Sequence, residues 1–347
     1  METIEAIVSN QIVQAVLLSA IPVVFILLYA LVTLYMEMKV AAHIQDRVAY
    51  MRTGWHGVLQ PFADILKLLQ KEDTIATNTD RFLFILSPYV VFIGTYASYA
   101  VLPFTSIYVG SNINLGAFFL IGASSLVVVG ILMGGWASNN KWSIFGGMRS
   151  AAQMVSYEIP TAIAIVIATM ITGSLNLQDV SRFQEGGIQN WVVLGGPLPL
   201  TQKLLLIPFS VTTFLILFTA SLAEVNRTPF DLPEAESELV QGFNTEYSGM
   251  RFAMFYLAEY ANMFVVSAVA VSFFLGGWSS PFGDFMAGPV WGIFWFVGKA
   301  MVFIFLHIWI RWTLPRIRVD QLMHMSWKVL TPFLFVCLFA VGLILVL

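Results

Sequence analysis

Eight times along this chain, polar residues almost vanish for the twenty or so positions that a helix needs to cross the hydrocarbon core of a bilayer. The stretches are 12–36, 83–102, 115–136, 151–172, 204–223, 252–276, 290–312 and 327–347. They predict an all-α integral membrane protein of about eight transmembrane helices, forming a single polytopic membrane domain over 1–347. Trp136, Trp278, Trp291, Trp312 and Trp327 fall at span ends, where amphipathic rings sit at headgroup level. No internal repeat, inverted or parallel, is visible.

One connection carries a helical period of its own. Val58, Phe62, Ile65, Leu66 and Leu69 recur at helical spacing against polar Gln60, Asp64, Lys67 and Lys71, which predicts an amphipathic helix over 58–71 in the first cytoplasmic loop. Such a helix either lies in the membrane interface and lines the access of a lipid-like molecule, or packs as an ordinary surface helix. The connection 173–203 is rich in Gly, Gln and Asn, carries no recognisable chemistry, and reads as a spacer.

The charges fix an orientation. Fourteen lysines and arginines lie in or beside the connections on the side of the first loop, against Arg182 and Lys203 on the other. Basic residues accumulate on the cytoplasmic side. Both termini are therefore expected outside, in a bacterial inner membrane. The start, Met-Glu-Thr-Ile-Glu, has no basic region before the first apolar run, so the first span reads as structure and not as a cleaved signal.

Composition narrows the chemistry. With 58% hydrophobic and 11% charged residues, and a mean hydropathy of +0.81, the chain cannot face mostly water, since a soluble domain carries about 25% charged residues. Cys337 is the only cysteine, which excludes an intrachain disulfide and a cysteine-ligated iron–sulfur cluster. His43, His56, His307 and His324 have no metal-ligand spacing, and no metal site is expected. Neither nucleotide-binding glycine pattern occurs, so no cofactor and no nucleic acid is expected on this chain. It does not carry electrons itself.

A few charges sit where a bilayer should not tolerate them. Glu158 lies in the fourth span just before Pro160, Glu259 in the sixth, Lys299 midway along the seventh, and Glu224 at the cytoplasmic end of the fifth. An ionisable group near the bilayer centre costs about 2.5–3.5 kcal/mol on insertion scales. Such groups face the bundle interior or a wet cavity and mark ion paths. Glu224 also fits a plain boundary position. Lys299 reads as a partner for one of the carboxylates, and His307 with Arg311 as a satisfied polar stripe. Glu158 and Glu259, on different helices, suit a proton relay.

The fifth connection, 220–240, is the most informative. Asp231-x-x-Glu234 has the shape of a capping box with Pro233 in the first turn. It predicts a helix with Glu234 and Glu238 on one face and Glu236 on another, followed by Glu246. Arg227 offers a fixed fork of donors for Glu224 or Asp231. These acids read either as a solvated loop or, flanked by Phe230, Leu232, Leu239 and Phe243, as an acidic path running into the membrane.

Several runs together resemble one known family. They are Gln45-Asp46-Arg47-Val48, Leu59-Gln60-Pro61 with Ala63-Asp64, Ser156-Tyr157-Glu158-Ile159-Pro160, the stretch 224–238, Phe243-Asn244-Thr245-Glu246-Tyr247-Ser248-Gly249, Arg311-Trp312-Thr313-Leu314-Pro315-Arg316 and Asp320-Gln321-Leu322-Met323. Over essentially its whole length the chain is similar to the quinone-site membrane subunit of respiratory complex I, proton-pumping NADH:quinone oxidoreductase (the H subunit in bacteria, chain 1 in mitochondria).

The resemblance implies a subunit of a translocating enzyme that performs no redox chemistry alone. Its substrate would be a quinone such as ubiquinone, bound in a tunnel shared with the hydrophilic arm. FMN and iron–sulfur clusters would sit on partner subunits, with small membrane subunits and lipids alongside. It also implies that Glu158, Glu224 and Glu259 relay protons, that Glu234, Glu236, Glu238 and Glu246 extend the acidic path, and that Arg47, Asp64, Arg227 and Asp231 border the quinone cavity.

Three departures stand out. Met38 replaces a usual arginine, Ala49-Tyr50-Met51 replaces Gly-Pro-Asn, and span three lacks an acid that some relatives carry. The rival readings are the homologous subunit of an energy-converting hydrogenase or of a dehydrogenase fed by another donor, and a stand-alone ion transporter. The transporter folds commonly show inverted repeats, and none is visible here.

Overall fold

Long apolar runs with few interruptions leave the backbone no partner but itself, and the chain answers with helices. The computed structural model describes residues 11–233, 235–283 and 285–346, and among them the regular elements are helical. In order they are α1 (Gln11–Ile44), α2 (Gln60–Gln70), α3 (Arg81–Tyr99), α4 (Gly116–Ala137), α5 (Lys141–Thr172) and α6 (Leu177–Phe183). Then follow α7 (Leu200–Glu224), α8 (Glu236–Leu239), α9 (Gly249–Phe274), α10 (Pro289–Thr313), α11 (Val319–His324) and α12 (Thr331–Val346). A π-helical turn, Met325–Leu330, fuses the last two into one span. Among the described residues eight helices are long and apolar enough to cross a membrane, as the hydropathy predicts.

Side chains set the starts of these helices. The Asp80 carboxylate accepts from the Leu83 amide at 3.3 Å, Asn140 accepts from Trp142 at 3.0 Å, and Asn176 accepts from Gln178 at 2.9 Å. Each satisfies an amide that the first turn leaves open. Helix α1 runs past the expected end at 36 to Ile44, and α5 begins earlier than expected, at Lys141.

Helix α9 is the hub. It is buried along nearly its whole length and packs against α1, α2, α3, α7 and α10. Helices α3 and α4 lie close because Gly130 removes a side chain: a Cβ there would stand 2.9 Å from the Val91 nitrogen. Small residues permit such approaches where no hydrophobic force drives helices together.

The connection 173–203 is more than the spacer the sequence suggested. It folds as α6 and two 3₁₀ turns and buries Leu177, Val180 and Val192. Gln184 pins it to the end of α9, donating to Ser272 O at 2.9 Å and accepting from Gly276 N at 3.0 Å. Trp278, just past the end of α9, is buried here.

Candidate functional site

Pro160 lies inside α5 and has no amide to give the carbonyl four residues back. That carbonyl belongs to Ser156, and the π turn supplies the missing donor: Ser326 Oγ lies 2.6 Å from Ser156 O. Trp327 Nε1 adds a bond to Ser156 Oγ at 3.3 Å, and Tyr157 OH reaches Leu322 O at 3.1 Å. The last span therefore holds the Ser-Tyr-Glu-Ile-Pro segment at two successive residues, Ser156 and Tyr157. Glu158 is left facing the bundle, with Oε1 buried and unpartnered among the described residues.

Helix α7 ends at Glu224, and Asn226 turns left-handed with φ 52°. Arg227 N then bonds Leu222 O at 3.2 Å, the closing pattern that satisfies orphan carbonyls at a helix end. Gln153 holds the turn by donating to Asn226 Oδ1 at 3.0 Å. The turn sends the Arg227 side chain back into the bundle, where the residue is 2% exposed. There it meets Glu37 at 3.2 Å and Glu259 at 3.1 Å, over the Tyr260 ring at 4.8 Å. The expected partners, Glu224 and Asp231, are not the ones it holds.

Glu37 is the junction that the sequence reading missed. It lies one residue beyond the expected end of span one, yet it is 3% exposed. Arg311 holds it at 2.5 Å and Tyr260 OH donates to it at 2.6 Å. Tyr29, Thr33 and Glu37 repeat every fourth residue and are all buried, a polar stripe that could have exposed the site. Glu37, Glu259, Arg227 and Arg311 form a charge-balanced quartet drawn from four segments of the chain.

On one side of the quartet lies a cavity of about 330 Å³ between α1, α2 and α9, at the low end for a small-molecule site. Its walls are mostly apolar, with Asp64, Tyr50, Tyr256 and Tyr260 as polar points. Tyr256 OH lies 3.1 Å from Tyr260 OH, so the cavity reaches Glu37 through two hydroxyls. Helix α2 contributes Pro61, Asp64, Ile65, Lys67 and Leu68 to this wall. Met38 and Tyr50, which belong to two of the three departures from the resembled family, line it too. Arg47 does not: it is exposed and donates to Gln45 at 2.6 Å.

On the other side lie two smaller cavities. One of about 30 Å³ joins Glu259 to Glu224, and one of about 40 Å³ joins Glu224 to Glu158. Each exceeds the roughly 10–15 Å³ that a water needs. Glu224 and Asn262 line both. Helix α4 supplies no acid, but Ser124 lines the larger one.

The loop acids fall elsewhere. Glu238 pairs with Arg149 at 2.6 Å and Glu246 accepts from Asn140 at 2.6 Å, so both tie the loop to α5. Asp231 pairs with Arg316 at 3.4 Å. The short α8 starts at Glu236, after Pro233, and the expected capping box from Asp231 to Glu234 falls outside the described residues. Glu234 lies outside the described residues, as does the side chain of Glu236. Lys299 also departs from expectation: its ammonium donates to Leu275 O at 2.7 Å and Ser279 O at 3.1 Å, not to a carboxylate. It caps the end of α9, where the helix dipole favours a cation.

Fold and site together define a polytopic membrane protein whose carboxylates are strung between an apolar pocket and two small cavities large enough for water. The family described as NADH dehydrogenase matches residues 17–342, and the chain belongs to that family. It is 52% identical over 330 residues to the H subunit of the NADH-quinone oxidoreductase of Chlorobium luteolum, covering 92% of this chain and 86% of that one. The same-named protein of Chlorobaculum tepidum is 50% identical over 92% of this chain and 89% of its own. That of Anaeromyxobacter dehalogenans is 45% identical over 89% and 76%. The chain is a multi-pass bacterial membrane protein.

Proposed function

We propose that this chain is the quinone-site membrane subunit of a proton-translocating NADH:quinone oxidoreductase, converting quinone reduction into proton movement along its buried carboxylates. The observation that carries the reading is the continuity of polar groups: the 330 Å³ pocket ends on Tyr260, Tyr260 bonds Glu37, and Glu37 shares Arg227 with Glu259. Two cavities then lead through Glu224 to Glu158. The names of the relatives favour this reading over a hydrogenase subunit or a stand-alone transporter.

A quinone headgroup at the polar end of the pocket, with its tail along the apolar wall, would draw two protons as it is reduced. Electrons would come from FMN and iron–sulfur clusters on partner subunits, and the hydrophilic arm would complete the tunnel. Asp64 stands in this wall; Arg47, outside it, is proposed to border the mouth. A guanidinium stays ionised in proteins, so Arg227 cannot pass a proton. In this reading Glu37 and Glu259 are coupled by charge: a proton gained by Glu37 releases Arg227 toward Glu259. From Glu259 to Glu158 the connection is by water and carboxylate. Asp231, Glu238 and Glu246 anchor the acidic loop above this path, with Glu234 and Glu236 in the same loop.

The fourteen-to-two distribution of basic residues supports a cytoplasmic pocket end, with both termini on the outer side of the inner membrane. Neighbouring small membrane subunits would receive the proton path beyond Glu158. The test is Glu158→Gln, Glu224→Gln and Glu259→Gln in the assembled complex, with quinone reduction and gradient formation both followed in sealed vesicles. Each keeps shape and loses titration, so turnover should drop about tenfold or more, as loss of an acid–base group does. Full rates in all three would defeat the path.

A further inference from the structure

The acidic path leaves one buried ring unexplained. His307 on α10 is 1% exposed. Its flat face stacks on Phe218 with ring centres 5.1 Å apart, and its Nε2 lies 3.2 Å from Ser221 Oγ. Nδ1 is buried and finds no partner among the described residues. Ser221 is no ordinary neighbour, because it lines the cavity between Glu158 and Glu224.

Counting protons assigns the roles. Ser221 Oγ stands 2.8 Å from Phe218 O, and a carbonyl can only accept. A hydroxyl has a single proton, so that proton points at Phe218 and His307 Nε2 must donate to Ser221. Ser124 is committed in the same way, donating to Ile121 O at 2.8 Å, whereas Thr161 reaches both Tyr157 O at 2.9 Å and the Glu224 carboxyl. Ser221 and Ser124 therefore offer only lone pairs to the space between the two carboxyl groups. A water there would give one hydrogen to such an oxygen, keep the other for the ionised carboxylate and turn a lone pair toward the protonated one. That orientation lets it accept a proton from one acid and pass one to the other.

We propose that His307 is a positioning residue of the acidic path, holding the Ser221 rotor so that it presents an acceptor, never a donor, to the Glu158–Glu224 cavity. Ser221 is the hydroxyl with a second hold, since His307 grips it from another helix. Freed of that grip, its proton can swing into the cavity and bond an ionised carboxylate. The carboxylate would then be trapped in its charged form and transfer would slow. The proposal rests on the acidic-path reading above, and deepens it.

The experiment compares His307→Phe with His307→Gln in the assembled complex in sealed vesicles, alongside Ser221→Ala and the His307→Phe/Ser221→Ala pair. Phenylalanine keeps the stacked ring and removes the donor; glutamine places an amide N–H near Nε2. The expected result is a fall of about fivefold in quinone-linked turnover for His307→Phe, the size of one hydrogen bond, with the KM for quinone unchanged. His307→Gln should recover to within about twofold. Ser221→Ala removes the rotor itself, so in that background His307→Phe should produce no further loss. Three results overturn the proposal: wild-type turnover in assembled His307→Phe, equal losses in the Phe and Gln variants, or the same fivefold drop from His307→Phe whether or not Ser221 is present. Carboxylate variants run beside them separate the two ideas. If Glu158→Gln and Glu224→Gln stop turnover while His307→Phe does not, only the role of His307 falls; if those Gln variants run at full rate, the path itself does.

Discussion

Replacing Arg227 by methionine keeps the length of the apolar stem and removes the charge that two carboxylates share. Glu259 loses its partner at 3.1 Å, and its side chain is 19% exposed. Glu37 loses one contact at 3.2 Å but keeps Arg311 at 2.5 Å and Tyr260 at 2.6 Å. Removing one member of a buried pair costs about 3–5 kcal/mol. Partial exposure of Glu259 and the two surviving bonds to Glu37 argue for the lower end, about 3 kcal/mol in all. The quartet also acquires a net negative charge. Glu259→Gln added to Arg227→Met restores neutrality and should recover about 2 kcal/mol of that loss. The assay is heat-induced loss of this subunit from the purified complex, read on native gels, with NADH oxidation by an artificial acceptor as a control for the rest of the enzyme. Arg227→Met should dissociate at a clearly lower temperature, and the double variant should fall between it and wild type. Quinone-linked turnover should stay low in both. The reasoning fails if Arg227→Met is as stable as wild type, or if the double variant is no more stable than the single.

Other expectations follow from the same geometry. Ala253→Phe, in the wall of the 330 Å³ cavity, should raise the KM for quinone about tenfold while assembly holds, because the new ring fills space a ligand needs. Unchanged KM would mean that the ligand sits elsewhere. Lys299→Met should leave turnover intact but lower stability by about 1–2 kcal/mol, since two carbonyls lose a charged donor; a stable variant with slow turnover would give Lys299 a part in the path. In a Cys337→Ser background, cysteine at Gln241 should be labelled by a membrane-impermeant reagent only from the cytoplasmic side, and cysteine at Gln189 only from the outer side. The reverse pattern would invert the topology.

The spans were legible because hydropathy depends on local composition, and each expected run lies within or overlaps a helix. The acids at 158, 224 and 259 were legible because a charge inside an apolar run stands out. What escaped were contacts between distant segments. Glu37 and Arg227 lie 190 residues apart, and Glu37 and Arg311 lie 274 apart, so no local pattern pairs them. Glu37 also fell just beyond the apolar run, although the helix continues to Ile44. Arg316 reaches the Asp231 carboxylate from far along the chain, a contact that the local spacing of Asp231 to Glu234 could not show. Lys299 seemed to need a carboxylate because ion pairs are the commonest answer for a buried ammonium, but two carbonyls at a helix end serve it as well.

The π turn at Met325–Leu330 makes part of the last span dispensable for register but not for its neighbour. A π turn amounts to one residue more than an α-helix needs over the same rise. Deleting a single residue within it would let the helix close into a regular ladder with both flanks in nearly their old phase. The buried stripe of Leu334, Cys337, Val341 and Ile344 would go on facing the bundle, as would Leu322. Ser326 and Trp327 would leave Ser156, stranding the carbonyl that Pro160 cannot satisfy. The same deletion in the regular helix that follows would instead rotate everything beyond it by about 100°, so the extra residue serves the helix next door and not the span that carries it.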